Sequence, residues 1–169
     1  MVEMHLAAVR VELPTNNPVV LLQEVDGSHR TLPIFIGTAE ASAIAHALQG
    51  VVSPRPLTHD LLLNVVALLG ATVERVVVTE LRMSEDGSAG TYYAELHLRH
   101  GNEARTISSR PSDAIALAAR LGISIYAEDD LLDQAGVVVD ADDDDTPPEE
   151  LVTQFRQFIE GIRPEDFSQ

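Results

Sequence analysis

The chain has no cysteine, which removes disulfides, thiolate metal sites and cysteine nucleophiles from consideration and agrees with a reducing, cytoplasmic compartment. It has no lysine either; all eleven basic residues are arginine, a bias to which no functional weight attaches. Aromatic residues make up only 4% of the sequence. No basic stripe is interleaved with them, so the usual stacking platforms for nucleic acid are not indicated. Asp, Glu, Gly or Arg interrupts every apolar stretch well short of membrane-spanning length, and Met1-Val-Glu-Met-His5 lacks the basic segment and apolar run of an export signal. A soluble protein with no membrane partner is expected. Also missing are a Gly-rich phosphate loop, a Gly-x-Ser-x-Gly elbow and a dinucleotide fingerprint. His5, His29, His46, His97 and His100 show no paired zinc spacing and read as structural or exposed.

What remains is enough for one domain with a sizeable core, at 169 residues. The formal charge of −16 is unevenly spread: residues 128–169 hold fourteen acids against two arginines, leaving residues 1–127 at −4. The body is therefore nearly balanced, and the acidity belongs to the tail. Domain limits of 1–139 for the folded unit and 140–169 for an acidic linker and helix follow from that shift.

Hydrophobic period and turn chemistry predict strands over 2–13, 19–25 and 31–36, joined by Pro14-Thr-Asn-Asn-Pro18 and Asp26-Gly27 as an antiparallel meander. A helix follows from a Thr38 cap through Gln49, its alanines suggesting close approach to a neighbour. Thr58 is expected to cap a second helix through Leu69, so apolar on all sides that it should be buried. Strands over 73–81, 91–99 and 104–108 precede a third helix opened by Pro111, where a missing N–H costs nothing, and ended before Gly122. A short strand at 123–127, the segment 128–134, an apolar stretch at 137–139 and the aspartate run 140–145 come next, followed by an amphipathic helix over 147–161. The class is α+β: a mixed, largely antiparallel sheet packed with three core helices, plus an acidic linker and a C-terminal amphipathic helix. The apolar face of residues 151–162 predicts a homo-oligomer, a dimer or larger.

Two segments share a grammar. Arg55-Pro-Leu-Thr-His-Asp60 and Ser108-Ser-Arg110-Pro-Ser-Asp113 each place arginine, proline, a hydroxyl residue and an acid at the mouth of a helix. Thr58, Ser109 or Ser112 as caps, and Asp60, Asp113 and Glu40 as acids answering the helix dipole, account for both in purely structural terms. The chemical alternative has Arg55 and Arg110 gripping a phosphate, with Thr58 and Ser112 as further donors. Asp60, Asp113 and Glu40 would then hold a hard divalent cation, Mg or Mn, if the three helix starts converge. Histidine titrates near neutrality, which makes His59 the candidate for proton transfer.

Three ordered blocks carry a resemblance: Leu32-Pro-Ile-Phe-Ile-Gly-Thr-Ala-Glu40-Ala-Ser-Ala-Ile44, Arg55-Pro-Leu-Thr-His-Asp60-Leu-Leu62 and Arg110-Pro-Ser-Asp113-Ala-Ile-Ala-Leu-Ala118. Together they resemble the bifunctional nuclease family, also catalogued as domain of unknown function 151, over roughly residues 1–140. The segment 155–167 resembles an extension of actinobacterial members. The resemblance implies a mixed α/β fold that self-associates, cleavage of both DNA and RNA, and functional roles for Glu40, Arg55, Thr58, His59, Asp60, Arg110, Ser112 and Asp113. It also marks a departure: Ser108 stands where the family has an acid. The competing expectation is a non-catalytic anion- or nucleotide-binding or assembly protein built on the same cluster.

Overall fold

The computed structural model describes residues 1–12, 16–86 and 89–138. The predicted acidic linker and C-terminal helix lie outside the described residues, as do parts of the turns at 14–18 and 85–90. The elements run β1 (Val2–Glu12), β2 (Asn17–Glu24), β3 (Arg30–Phe35), α1 (Thr38–Leu48), α2 (Thr58–Leu68), β4 (Ala71–Met83), β5 (Gly90–His100), β6 (Glu103–Ser109), α3 (Pro111–Leu121), β7 (Ile125–Ala127), α4 (Asp129–Ala135) and β8 (Val137–Val138).

The strands form one mixed sheet in the order β6-β5-β4-β7-β1-β2-β3-β8. Its pairs are antiparallel except β4 with β7, which run parallel. The chain is thus of the α+β class. Two meanders, β1-β2-β3 and β4-β5-β6, are sewn together by β7, the short strand that follows α3 and slots between β4 and β1. β3 and β5 stand far apart in this order yet border a common hollow, so the sheet curls. The predicted strands correspond to observed ones with ends shifted by a few residues, as expected where only side-chain pattern marks a terminus.

α3 lies at the centre of the packing, against α1, β4 and β5. Pro111 supplies its first residue, and Gly122, in the left-handed region at φ 65°, ends it. Ile115 and Leu117 are fully buried, each contributing about 1.5–3 kcal/mol of apolar burial. α1 packs its small face, Ala41 and Ala45, against Val9, Val11 and Ile36; with nothing beyond Cβ to intervene, the helix comes close to β1. The short helix α4, not typed from the sequence, buries Leu131 and Leu132 and packs against both β3 and β4.

Two expectations are corrected. Thr38 and Thr58 are first helical residues rather than caps; the cap positions belong to Gly37 and Leu57, and neither carries a side-chain cap. At α2 the capping is done from inside, by Asp60 accepting the Leu57 N–H at 2.9 Å. The second correction concerns α2 itself, which has no fully buried residue. Leu63 and Val66 pack on the core, whereas Leu61 and Leu68 are 56% and 86% exposed. Among the described residues the helix packs mainly on β4 and α3, which leaves much of its apolar surface uncovered by them.

No helix among the described residues is long and apolar enough to cross a membrane.

Candidate active site

The first turns of α1, α2 and α3 meet at one place. α1 contributes Glu40, α2 contributes Thr58, His59 and Asp60, and α3 contributes Ser112 and Asp113, with Arg110 at its cap position. Each acid sits where free N–H groups and the helix dipole favour negative charge. Local helix stability and assembly of the cluster therefore ask for the same residues, which is why the sequence left both readings open.

Asp113 is the hub. Arg110 donates to it in a fork, Nε to Oδ2 at 2.7 Å and Nη2 to Oδ1 at 3.0 Å, and His59 Nε2 lies 3.2 Å from Oδ1. Partial burial pushes the Asp113 carboxyl up, but hydrogen bonds from Arg110 and His59 outweigh it and hold the group below the usual aspartate range. An ionised carboxylate only accepts. His59 Nε2 is therefore the donor of this contact, and Nδ1 is the ring nitrogen that Asp113 leaves free. The remaining guanidinium nitrogen of Arg110, Nη1, donates to Glu40 Oε1 at 2.9 Å, and the arginine is 65% exposed. Gly37 makes this possible, because a Cβ there would collide with the Glu40 carboxylate.

Asp60 turns elsewhere. Arg120, from the last turn of α3, donates through Nε to Asp60 Oδ1 at 2.7 Å and through Nη1 to the Ala43 carbonyl at 2.9 Å, joining all three helices with a nearly buried guanidinium. That bond, with the Leu57 N–H second, lowers the Asp60 pKa. Arg120 was not singled out from sequence: a basic residue in a final helical turn looks like an ordinary answer to the dipole.

Two hollows flank Arg110 and Glu40, which line both. The first, of about 450 Å³, contains His59, Asp113, Thr58, Ser42 and His46. The second, of about 430 Å³, is walled by Ile34, Phe35, Ile36, Tyr92 and Pro111, and Ser112 also lines it. Ser42, His46 and Tyr92 were also not picked out from the sequence, since nothing in their local pattern separates them from helix or strand background. Arg55 is exposed, lines neither hollow and forms no ion pair among the described residues. Ser108 lies exposed on the edge strand β6 and also lines neither.

The expected cation set Glu40, Asp60 and Asp113 does not converge. Glu40 and Asp113 share Arg110, while Asp60 is engaged by Arg120. Among the described residues no group of three or more carboxylate or imidazole ligands has metal-binding geometry. A hard cation needs free oxygen ligands, so the donor set in this arrangement does not fit one. The cluster can instead position an imidazole base beside a guanidinium that is open to solvent.

A family model described as the bifunctional nuclease domain matches residues 20–140. An uncharacterized protein of Mycobacterium tuberculosis is 40% identical over 169 residues, covering 98% of this chain and 97% of that protein. Bifunctional nuclease 1 of Oryza sativa subsp. japonica is 32% identical over 152 residues, 87% of this chain but 43% of the rice protein. Bifunctional nuclease 1 of Arabidopsis thaliana is 32% identical over 112 residues, 64% of this chain and 33% of that protein. The chain thus spans less than half the length of these plant relatives.

Proposed function

The chain belongs to the bifunctional nuclease domain family, and from that premise we propose that it hydrolyses phosphodiester bonds in DNA and RNA where α1, α2 and α3 meet. The observation that carries this reading is the 3.2 Å contact between His59 Nε2 and Asp113 Oδ1, which links the two Arg-Pro segments into one acid–base unit. In the proposed reaction a non-bridging phosphate oxygen displaces Glu40 from the exposed Arg110. The guanidinium then meets the negative charge that builds on phosphorus in the transition state. A water attacks phosphorus in line as the P–O bond to the sugar oxygen on the opposite side breaks. His59 Nδ1 takes the water's proton while Asp113 holds the ring and stabilises the imidazolium, and the departing alkoxide is protonated from solvent. Thr58 borders the His59 hollow and the buried Ser112 the neighbouring one, each as a hydroxyl donor, and Arg55 is an exposed cation for the flanking strand. No step is routed through a metal. The absence of cysteine supports a cytoplasmic setting.

The test is cleavage of single-stranded DNA and RNA by the full chain, in chelator and in Mg or Mn, beside His59→Ala and Asp113→Ala. Cleavage undiminished in both variants would refute the assignment. The rival reading, a nucleotide-binding module that does not cleave, is favoured by local charge: Arg110 already faces two carboxylates. Saturable nucleotide binding with no hydrolysis under any metal condition would decide for it.

We also propose a homo-oligomer. Its support is the apolar face of α2 left bare by the described residues, because a helix apolar on all sides is ordinarily covered.

A further inference from the structure

Resting on that reading, we infer that the apolar hollow between β3, α1 and β5 is a nucleobase subsite, which takes an unstacked base from a single strand while Arg110 holds the adjoining phosphate. The two hollows differ in chemistry although Arg110 and Glu40 belong to both. One side offers an imidazole and carboxylates. The other offers an aromatic and aliphatic wall at the same guanidinium, the juxtaposition a nucleotide requires: charge for its phosphate, a flat apolar face for its base.

Phe35 is the centre of the argument. It ends β3 and is 56% exposed, although its neighbour Ile34 is 2% exposed. An isolated exposed apolar residue needs no explanation, but this one is the sole phenylalanine among the described residues and lines a concavity rather than open surface. Tyr92 lines the same hollow from β5, and burial pushes its phenol further up, so the hydroxyl stays a neutral donor. Thr91, Ser112 and Glu40 add polar groups to the lining for a base edge. At about 430 Å³ the space falls in the range of small-molecule sites. A base paired within a duplex cannot enter such a hollow without leaving its stack, so single strands are the substrate class.

The sequence contains no tryptophan, so Phe35→Trp introduces a single, selectively excited indole at the site. Its emission is expected to be quenched saturably by AMP and left unchanged by ribose 5-phosphate, which carries the phosphate but no base. In the cleavage assay, Phe35→Ala is expected to raise KM for a single-stranded oligonucleotide by about 5- to 150-fold, the range of stacking losses on alanine substitution, with kcat little changed. Equal responses to AMP and ribose 5-phosphate, no response to either, or an unaltered KM overturns the subsite. Quenching by AMP alone in a protein that cleaves nothing keeps the subsite and rejects the nuclease reading, so the two fail separately. Phe35 is more than half exposed, and both substitutions leave the buried core intact.

Discussion

His59 and Asp113 belong to different helices, 54 residues apart in sequence, and their side chains meet at 3.2 Å across the junction of α2 and α3. Because Asp113 is held ionised by Arg110, the contact fixes which ring nitrogen of His59 is free. Removal of a positioned general base typically costs about 10²–10⁴ in rate. His59→Ala is therefore expected to lower kcat on single-stranded DNA by that order while KM changes little. Asp113→Asn, which keeps the shape but not the charge, is expected to lower kcat as well, through loss of imidazolium stabilisation. Steady-state kinetics on both variants reads this directly, and a KM effect without a kcat effect would assign His59 to binding instead.

Arg110 occupies the ground between Glu40 and Asp113. Without it, two carboxylates face each other with no cation between them, an arrangement that either raises one carboxyl pKa or attracts a divalent ion. In a thermal-shift titration with Mn, Arg110→Ala is expected to gain more stability than the parent protein. Equal shifts would show that the guanidinium does not exclude a cation there.

The convergence of three helix starts was legible only as a condition. The repeated order of arginine, proline, hydroxyl and acid in 55–60 and 108–113 marked the residues, but no local pattern states that β7, three residues long, slots between β4 and β1 and so fixes where α3 lies. Asp60 shows the limit most clearly: like Asp113 it is the third residue of its helix, yet Arg120, sixty positions away, claims it. The α2 helix failed differently. Its density of leucine and valine was read as burial within the chain, and periodicity carries no information on whether the covering surface comes from the same chain. The class, the antiparallel meander and the three main helices were legible because each follows from period, turn residues and breakers.

Glu24 gives the fold a pH dependence. It is 3% exposed and accepts from Arg30 Nε at 2.9 Å, Arg30 Nη2 at 2.6 Å and the Arg30 N–H at 2.9 Å, while Arg30 Nη1 reaches Asp133 of α4 at 2.6 Å. The Arg30 side-chain bonds hold the Glu24 pKa down against the opposing effect of burial. A depressed carboxyl stabilises the fold above the unfolded-state value of about 4.3 and loses that contribution as pH falls through the folded-state value below it. Glu24→Gln is expected to cost about 1.5–3 kcal/mol in urea unfolding at pH 7, the worth of a charge-assisted hydrogen bond. The difference from the parent protein should shrink as the medium is acidified below pH of about 4. A difference independent of pH would mean that packing, not charge, makes residue 24 matter.

The bare face of α2 bears on how many chains act together. Leu61, Leu62, Val65 and Leu68 are all exposed among the described residues, and a symmetric pair buries this face isologously, each copy covering the other. Sedimentation velocity at micromolar concentration is expected to show a species larger than the 18.3 kDa chain. The double substitution Leu61→Asp with Leu68→Asp should reduce it to monomer. Both positions are already exposed, so the helix itself is expected to persist and the circular dichroism spectrum to remain unchanged. A parent protein that sediments as a monomer would remove the oligomer, and one that stays associated in the double variant would move the contact to another face. Because α2 also carries His59 in its first turn, the same variant tests whether association and cleavage are linked: unchanged kcat in the monomer would separate them.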